Sequence, residues 1–213
     1  MTKRVALVTG CGKLDGLGAA IATTLADAGV SVAVTDIAPE GLRNAPGDAI
    51  GKRAPQGIAE LGTRLRAKGV ESECFLGDVS AEADAARLVK EAVDRFGRLD
   101  ILVNNAAAPH GGEFNDIVDI SLDAYDKVMN VNARGPFLMM RAAVPHMRNQ
   151  KWGRIVNIGS VTGRVGRQRQ AIYGASKAAV IQMTRCFATE LGQDGINMNA
   201  VCPGRMMTSR AMS

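Results

Sequence analysis

Two side chains in the stretch YGASKAA, residues 173–179, are of types that can move a proton together. Tyr173 and Lys177 stand four positions apart, so on a helix they share a face one turn from each other. A free phenol ionises near pH 10 and is a poor acid–base group at neutral pH. An ammonium alongside favours the phenolate, which makes such a pair a sensible proton-transfer device. The spacing alone recurs by chance, so its weight depends on what else converges on it.

A second constellation could hold a dinucleotide. The stretch VALVTGCGKLDGLGAAIATTLADAG, residues 5–29, reads as a strand, a glycine-rich turn and a helix. A pyrophosphate needs close backbone approach, unpaired N–H groups and the positive end of a helix dipole. Gly10, Gly12, Gly16 and Gly18, with Leu17 between the last two, leave out the Cβ atoms that would block it. Asp36 follows Gly16 by roughly 20 residues, where an acid can bond the adenosine ribose hydroxyls and repel a 2′-phosphate. Asp15 adds negative charge at the same end, so the two acids favour NAD over NADP. Taken singly, a glycine cluster recurs at ordinary strand–helix junctions, and a strand-end aspartate commonly starts a turn.

These residues need elements to position them. Short apolar runs suggest strands over 4–10, 31–36, 72–79, 100–107, 153–160 and 196–203, with the continuous apolar character of strands covered on both faces. Helical periodicity fills 17–28, a segment near 57–68, 81–96, 121–149 and 173–192. Gly29 and Gly97 read as C-terminal stops and Ser121 as an N-cap, while Pro136 and Pro145 are expected to bend or interrupt the fourth helix. The alternation implies right-handed βαβ crossovers. The expected fold is α/β: a single doubly wound Rossmann domain with a parallel sheet of at least six strands, order 3-2-1-4-5-6, and helices on both faces. Residues 38–57, with prolines at 39, 46 and 55, read as a surface excursion.

Composition excludes several classes. The chain has 213 residues, 46% hydrophobic and 22% charged, which is ordinary for a globular core. No apolar run approaches a membrane span and the N-terminus reads straight into a strand, so a cytoplasmic protein is expected. Net charge is +5, but the basic residues are dispersed and aromatics are only 4%, which argues against nucleic acid as a partner. Cys11, Cys74, Cys186 and Cys202 are far apart, and with two histidines in the chain no zinc site is expected.

From residue 4 to about 208 the chain resembles the short-chain dehydrogenase/reductase family. The motifs stand in that family's order: TGCGKLDGLG at 9–18, GDV at 77–79, NNAA at 104–107, NVNARG at 130–135, NIGS at 157–160, YGASK at 173–177 and PGRMMT at 203–208. The resemblance implies that Tyr173 is the acid–base residue, that Lys177 tunes it and bonds the nicotinamide ribose, that Ser160 holds the substrate oxygen, and that Asn132 holds a proton-relaying water. It implies that Asp78 and Val79 meet the adenine, that Asn105 and Ala106 line the cofactor channel, and that Thr208, after Pro203 and Gly204, contacts the nicotinamide carboxamide. The glycine turn is two residues longer than the family's TGxxxGxG spacing, and a bulged, working cradle with Gly12 relieving strain is expected. The family usually continues beyond the PG motif, so the resemblance also implies a domain over 1–213 that lacks the substrate lid and a seventh strand.

The expected activity is NAD-dependent interconversion of a secondary alcohol and a ketone, a small-molecule reaction. A homo-oligomer, dimer or tetramer, is implied by the resemblance through helices 121–149 and 173–192. Two rivals stand beside it: a 3-oxoacyl-carrier-protein reductase, to which Arg164, Arg167 and Arg169 could contribute positive charge, and a nucleotide-binding scaffold without turnover. His110 lies in another expected wall of the pocket.

Overall fold

The computed structural model describes residues 3–42, 57–206 and 208. Six strands form one sheet: β1 (Val5–Thr9), β2 (Ser31–Asp36), β3 (Ser72–Leu76), β4 (Ile101–Asn104), β5 (Gly153–Ile158) and β6 (Ile196–Val201). Their order is β3-β2-β1-β4-β5-β6 and every pairing is parallel, as the alternation of elements requires. Helices cover both faces. Leu7 of β1 packs with Leu88 and Val89 of α3 (Glu82–Phe96) and Met139 and Ala143 of α5 (Gly135–Gln150). Its neighbour Val8 points the other way, into Ala19 and Ala22 of α1 (Leu17–Asp27) and Leu61 and Leu65 of α2 (Ile58–Arg66). Period-two alternation therefore feeds two cores, which is why β1 is apolar at each of its first four positions. Each fully buried Leu or Ile among them stabilises the fold by roughly 1.5–3 kcal/mol.

The sequence-read strands overrun the observed ones at their C-terminal ends by one to three residues at five of six strands. The overrun residues leave the sheet and turn into the loops of one edge. Gly29 and Gly97 follow α1 and end α3 with φ of 78° and 75°, the left-handed stop that glycine adopts without a Cβ penalty. The Ser121 hydroxyl accepts the Ala124 N–H at 3.2 Å and starts α4 (Leu122–Met129).

The helix expected over 121–149 is two helices, α4 and α5, joined by a π-turn at Asn130–Arg134. Pro136 sits in the first turn of α5, where a missing N–H is tolerated, and Pro145 lies inside α5 without interrupting it. α6 (Ala171–Leu191) closes the same face. Residues 43–56, which hold most of the excursion expected at 38–57, lie outside the described residues. Among the described residues no helix is long and apolar enough to cross a membrane.

Candidate active site

The loops beyond the carboxyl ends of β1, β2, β4 and β5 enclose a cleft of about 420 Å³. It straddles the β1–β4 switch in strand order, where doubly wound sheets bind ligands. Fourteen of the residues singled out from sequence line it. On the β1 side these are Gly10, Gly16, Leu17 and Asp36, with Asp78, Val79, Asn105 and Ala106 along the floor. On the β5 side they are Ser160, Tyr173 and Lys177, with Pro203, Gly204 and Thr208 opposite. Gly12, Gly18 and Asn132 stand behind the wall rather than in it.

The β1 end is made of backbone. Gly10 has φ of 73°, and a Cβ there would sit 2.7 Å from the Ala106 Cα. A Cβ on Gly18 would fall on the Gly10 carbonyl oxygen, so Gly18 serves the close approach of α1 to β1. Helix α1 begins at the N-cap Gly16 without a side-chain cap, which leaves its positive end to the cleft. Gly12 adopts no left-handed conformation, so strain relief is not what calls for a glycine there. Its N–H donates to Asp36 Oδ2 at 2.7 Å, and that close approach, crowded by Gly41, is the reason. Burial pushes the Asp36 carboxyl up, while the N–H groups of Gly12, Ile37 and Ala38 and the nearby Lys13 charge oppose it. Lys13 also lines the cleft and had no sequence signal.

Braces tie the floor together. The Asn105 side-chain amide donates to the carbonyls of Thr9 (2.8 Å) and Gly10 (3.0 Å), and the Thr9 hydroxyl accepts the N–H groups of Asn105 and Ala106. Asp78 Oδ1 accepts from the N–H and hydroxyl of Ser80 at 2.8 and 2.7 Å, which fixes the GDV turn.

The β5 end is made of side chains. Lys177 is 4% exposed, and its ammonium donates to the Ile158 carbonyl at 2.8 Å, at the end of β5. That nitrogen stands 5.9 Å from the centre of the Tyr173 ring, one helical turn back on α6. The Ser160 hydroxyl accepts the Thr162 N–H at 3.2 Å and caps a short 3₁₀ turn, which holds it at the strand end. Asn132 is buried at the π-turn: its Oδ1 accepts the Ala108 N–H at 2.8 Å, and its Nδ2 donates to Ser176 at 3.1 Å. Ser176 in turn donates to the Tyr173 carbonyl at 2.7 Å. These bonds use one donor and one acceptor position of the Asn132 amide. π-turns of this kind recur at functional sites.

Sequence reasoning singled out neither Ser176 nor Glu113. Glu113 is buried, accepts the Gly111 N–H at 2.7 Å and pairs with His110 at 3.3 Å. The His110 ring meets the Tyr173 ring edge-on at 5.8 Å, so His110 belongs to the wall around the phenol. Arg164, Arg167 and Arg169 are exposed and none lines the cleft. Among the described residues no group of three or more His, Cys, Asp or Glu could hold a metal ion.

The cradle suits a dinucleotide on its own geometry: bare glycine backbone where a Cβ would collide, an uncapped helix N-terminus, and an acid at the end of β2. The comparisons agree. The short chain dehydrogenase family profile matches residues 4–213. An uncharacterized oxidoreductase of Thermotoga maritima is 39% identical over 211 residues, spanning 99% of this chain and 74% of that protein. A 3-oxoacyl-[acyl-carrier-protein] reductase of Staphylococcus aureus is 38% identical over 204 residues, 96% of this chain and 74% of that one. The crystal structure of carveol dehydrogenase from Mycobacterium avium in complex with NAD superposes with a TM-score of 0.87 at 28% identity, covering 99% of this chain and 73% of that one. A parallel 3-2-1-4-5-6 sheet, a glycine turn over an uncapped helix and a Tyr–Lys helix at one cleft thus coincide with a full-length profile match: the chain belongs to the short-chain dehydrogenase family of oxidoreductases.

Proposed function

We propose that the protein is an NAD-dependent oxidoreductase that interconverts a secondary alcohol and a ketone. The observation that carries this reading is the shared cleft: Tyr173, Lys177 and Ser160 line one end of the space whose other end is Asp36 and the glycine turn. Gly10, Gly16 and Leu17 would hold the pyrophosphate, Asp36 the adenosine ribose, Asp78 and Val79 the adenine, and Lys177 the nicotinamide ribose. Asn105 and Ala106 would line the channel, and Pro203, Gly204 and Thr208 would meet the carboxamide. A nicotinamide held there would supply hydride transfer to or from the carbinol carbon.

Everything else falls to the chain. Ser160 orients the substrate oxygen by its hydroxyl. In oxidation Tyr173 takes the hydroxyl proton as the hydride leaves carbon; in reduction it gives that proton to the forming alkoxide. Lys177, anchored on Ile158, holds its ammonium 5.9 Å from the centre of the phenol ring. Asn132 supports the relay from behind by tying the loop at Ala108 to α6. Asp36 supports NAD over NADP, because a 2′-phosphate would meet a carboxylate. Pairing of copies through α4, α5 and α6 is part of this proposal, and sedimentation giving monomer alone would refute it.

NADH fluorescence titration with turnover of Tyr173→Phe tests the reading. Tight NADH binding, turnover of secondary alcohols by the parent, and its loss in the variant are expected. Equal rates in parent and variant would exclude the mechanism, and binding without any turnover would favour a scaffold. The 38% identity to the acyl-carrier-protein reductase supports a second reading, reduction of a 3-oxoacyl thioester. Faster turnover with NADPH on such a thioester than with NAD on an alcohol would select it.

A further inference from the structure

We infer that Gly12, in the lengthened part of the turn, locks the Asp36 carboxylate and thereby sets how strongly a dinucleotide bearing a 2′-phosphate is rejected. This rests on the NAD reading above. Gly12 N–H donates to Asp36 Oδ2 at 2.7 Å, and Ile37 N–H donates to Oδ1 at 2.8 Å. Each carboxylate oxygen is thus held by a different piece of backbone, one from the β1–α1 turn and one from the end of β2. The Cys11 N–H donates to the Thr35 carbonyl at 3.1 Å, which carries the β1–β2 alignment past Thr9 and brings Gly12 level with Asp36.

The consequence is selectivity. An ionised carboxylate offers about four acceptor sites, so the backbone bonds leave acceptor capacity for the vicinal hydroxyls of a ribose. A 2′-phosphate brings about two negative charges. To admit it, Asp36 would have to swing aside. That motion would break the Gly12 and Ile37 bonds and take the acceptor from the buried Gly12 N–H. The acid is therefore a fixed charge rather than a movable one. Lys13 lines the same end of the cleft, and its charge helps keep Asp36 ionised.

Only glycine serves at position 12. A Cβ there would overlap the Gly41 backbone and stand 3.0 Å from Asp36 Cγ. Gly41 itself has φ of 69°, so neither partner in this contact can acquire a side chain without strain.

The experiment is fluorescence titration of NADH and NADPH against the parent, Gly12→Ala and Asp36→Glu, with thermal melting by circular dichroism of each. Asp36→Glu keeps the charge but moves it beyond the reach of both amides. The parent is expected to favour NADH by about 100-fold, and either variant to narrow that ratio by about 10-fold, mainly by strengthening NADPH. A parent that binds NADPH as well as NADH refutes the NAD reading itself. A parent that favours NADH beside variants that keep the ratio, or weaken both dinucleotides equally, refutes the lock alone. Should Gly12→Ala fail to fold, the ratio in Asp36→Glu decides: collapse supports the lock, and retention means that charge without positioning suffices.

Discussion

The two ends of the cleft are built from different materials. At the β1 end the contact surface is glycine backbone, an uncapped helix start and one carboxylate held by amides. At the β5 end it is side chains, each tied at its root: Lys177 to Ile158, Asn132 to Ala108 and Ser176, Ser160 to Thr162. Backbone surface gives close approach and fixed dipoles but no titratable group, which suits holding a phosphate. Side chains give titratable groups but need support to stay in register, which suits proton transfer. Substitution should therefore fail by steric overlap at one end and by lost chemistry at the other.

The largest effect expected from that contrast is at Tyr173. Tyr173→Phe should lower kcat by about 10²–10⁴-fold and leave NADH affinity and melting temperature near the parent's. Steady-state kinetics beside a titration would check it, and a matching loss of NADH affinity would blur the contrast. Gly18→Ala should do the reverse. Its Cβ would meet the Gly10 carbonyl and Asn105, so stability should fall by about 1–3 kcal/mol in urea unfolding, with NADH affinity lost too.

Smaller losses should follow at the supports. Ser176→Ala strands the Asn132 amide inside the fold and should cost about 1–3 kcal/mol. If Ser176 positions the β5 end, kcat should drop more than KM rises, and Ser176→Thr should restore part of it. The smallest effect lies outside both ends, at Asp100. Burial pushes this carboxyl up, but the hydrogen bonds from Arg98, the Val5 N–H and Arg4 outweigh it and hold it below its ordinary value of 3.8. A depressed folded value means stability that is complete above the unfolded value and disappears as pH falls through the folded one. Stability in urea should fall between pH 6 and pH 3 as this group protonates, and Asp100→Asn should flatten that fall.

How much of this could be read from sequence follows the same division. The sheet was legible because strands covered on both faces are nearly continuous apolar runs. The glycine turn and the Tyr173–Lys177 pair were legible because their meaning lies in short spacings. Strand ends were overrun because Gly77, Asn105 and Gly159 continue the pattern of their strands while their backbone leaves the sheet to form the cleft. The π-turn had no signal, since Asn130–Arg134 keeps the periodicity of a helix and only its hydrogen bonding shifts. The Gly12–Asp36 and Asn132–Ser176 bonds join residues 24 and 44 positions apart, and no local pattern announces them.

Cys11 has one consequence for how the protein could be watched at work. Its thiol lies fully buried under the glycine turn, against the Val8 carbonyl, whereas Cys186 is exposed on α6. Burial pushes the Cys11 thiol far up, so it is inert to alkylating reagents while the turn stays closed. With Cys74 and Cys202 replaced by serine, the slow phase of labelling by iodoacetamide clocks how often the turn opens, with Cys186 as the fast internal standard. A dinucleotide seated on that turn should lengthen the slow phase and leave the fast one alone.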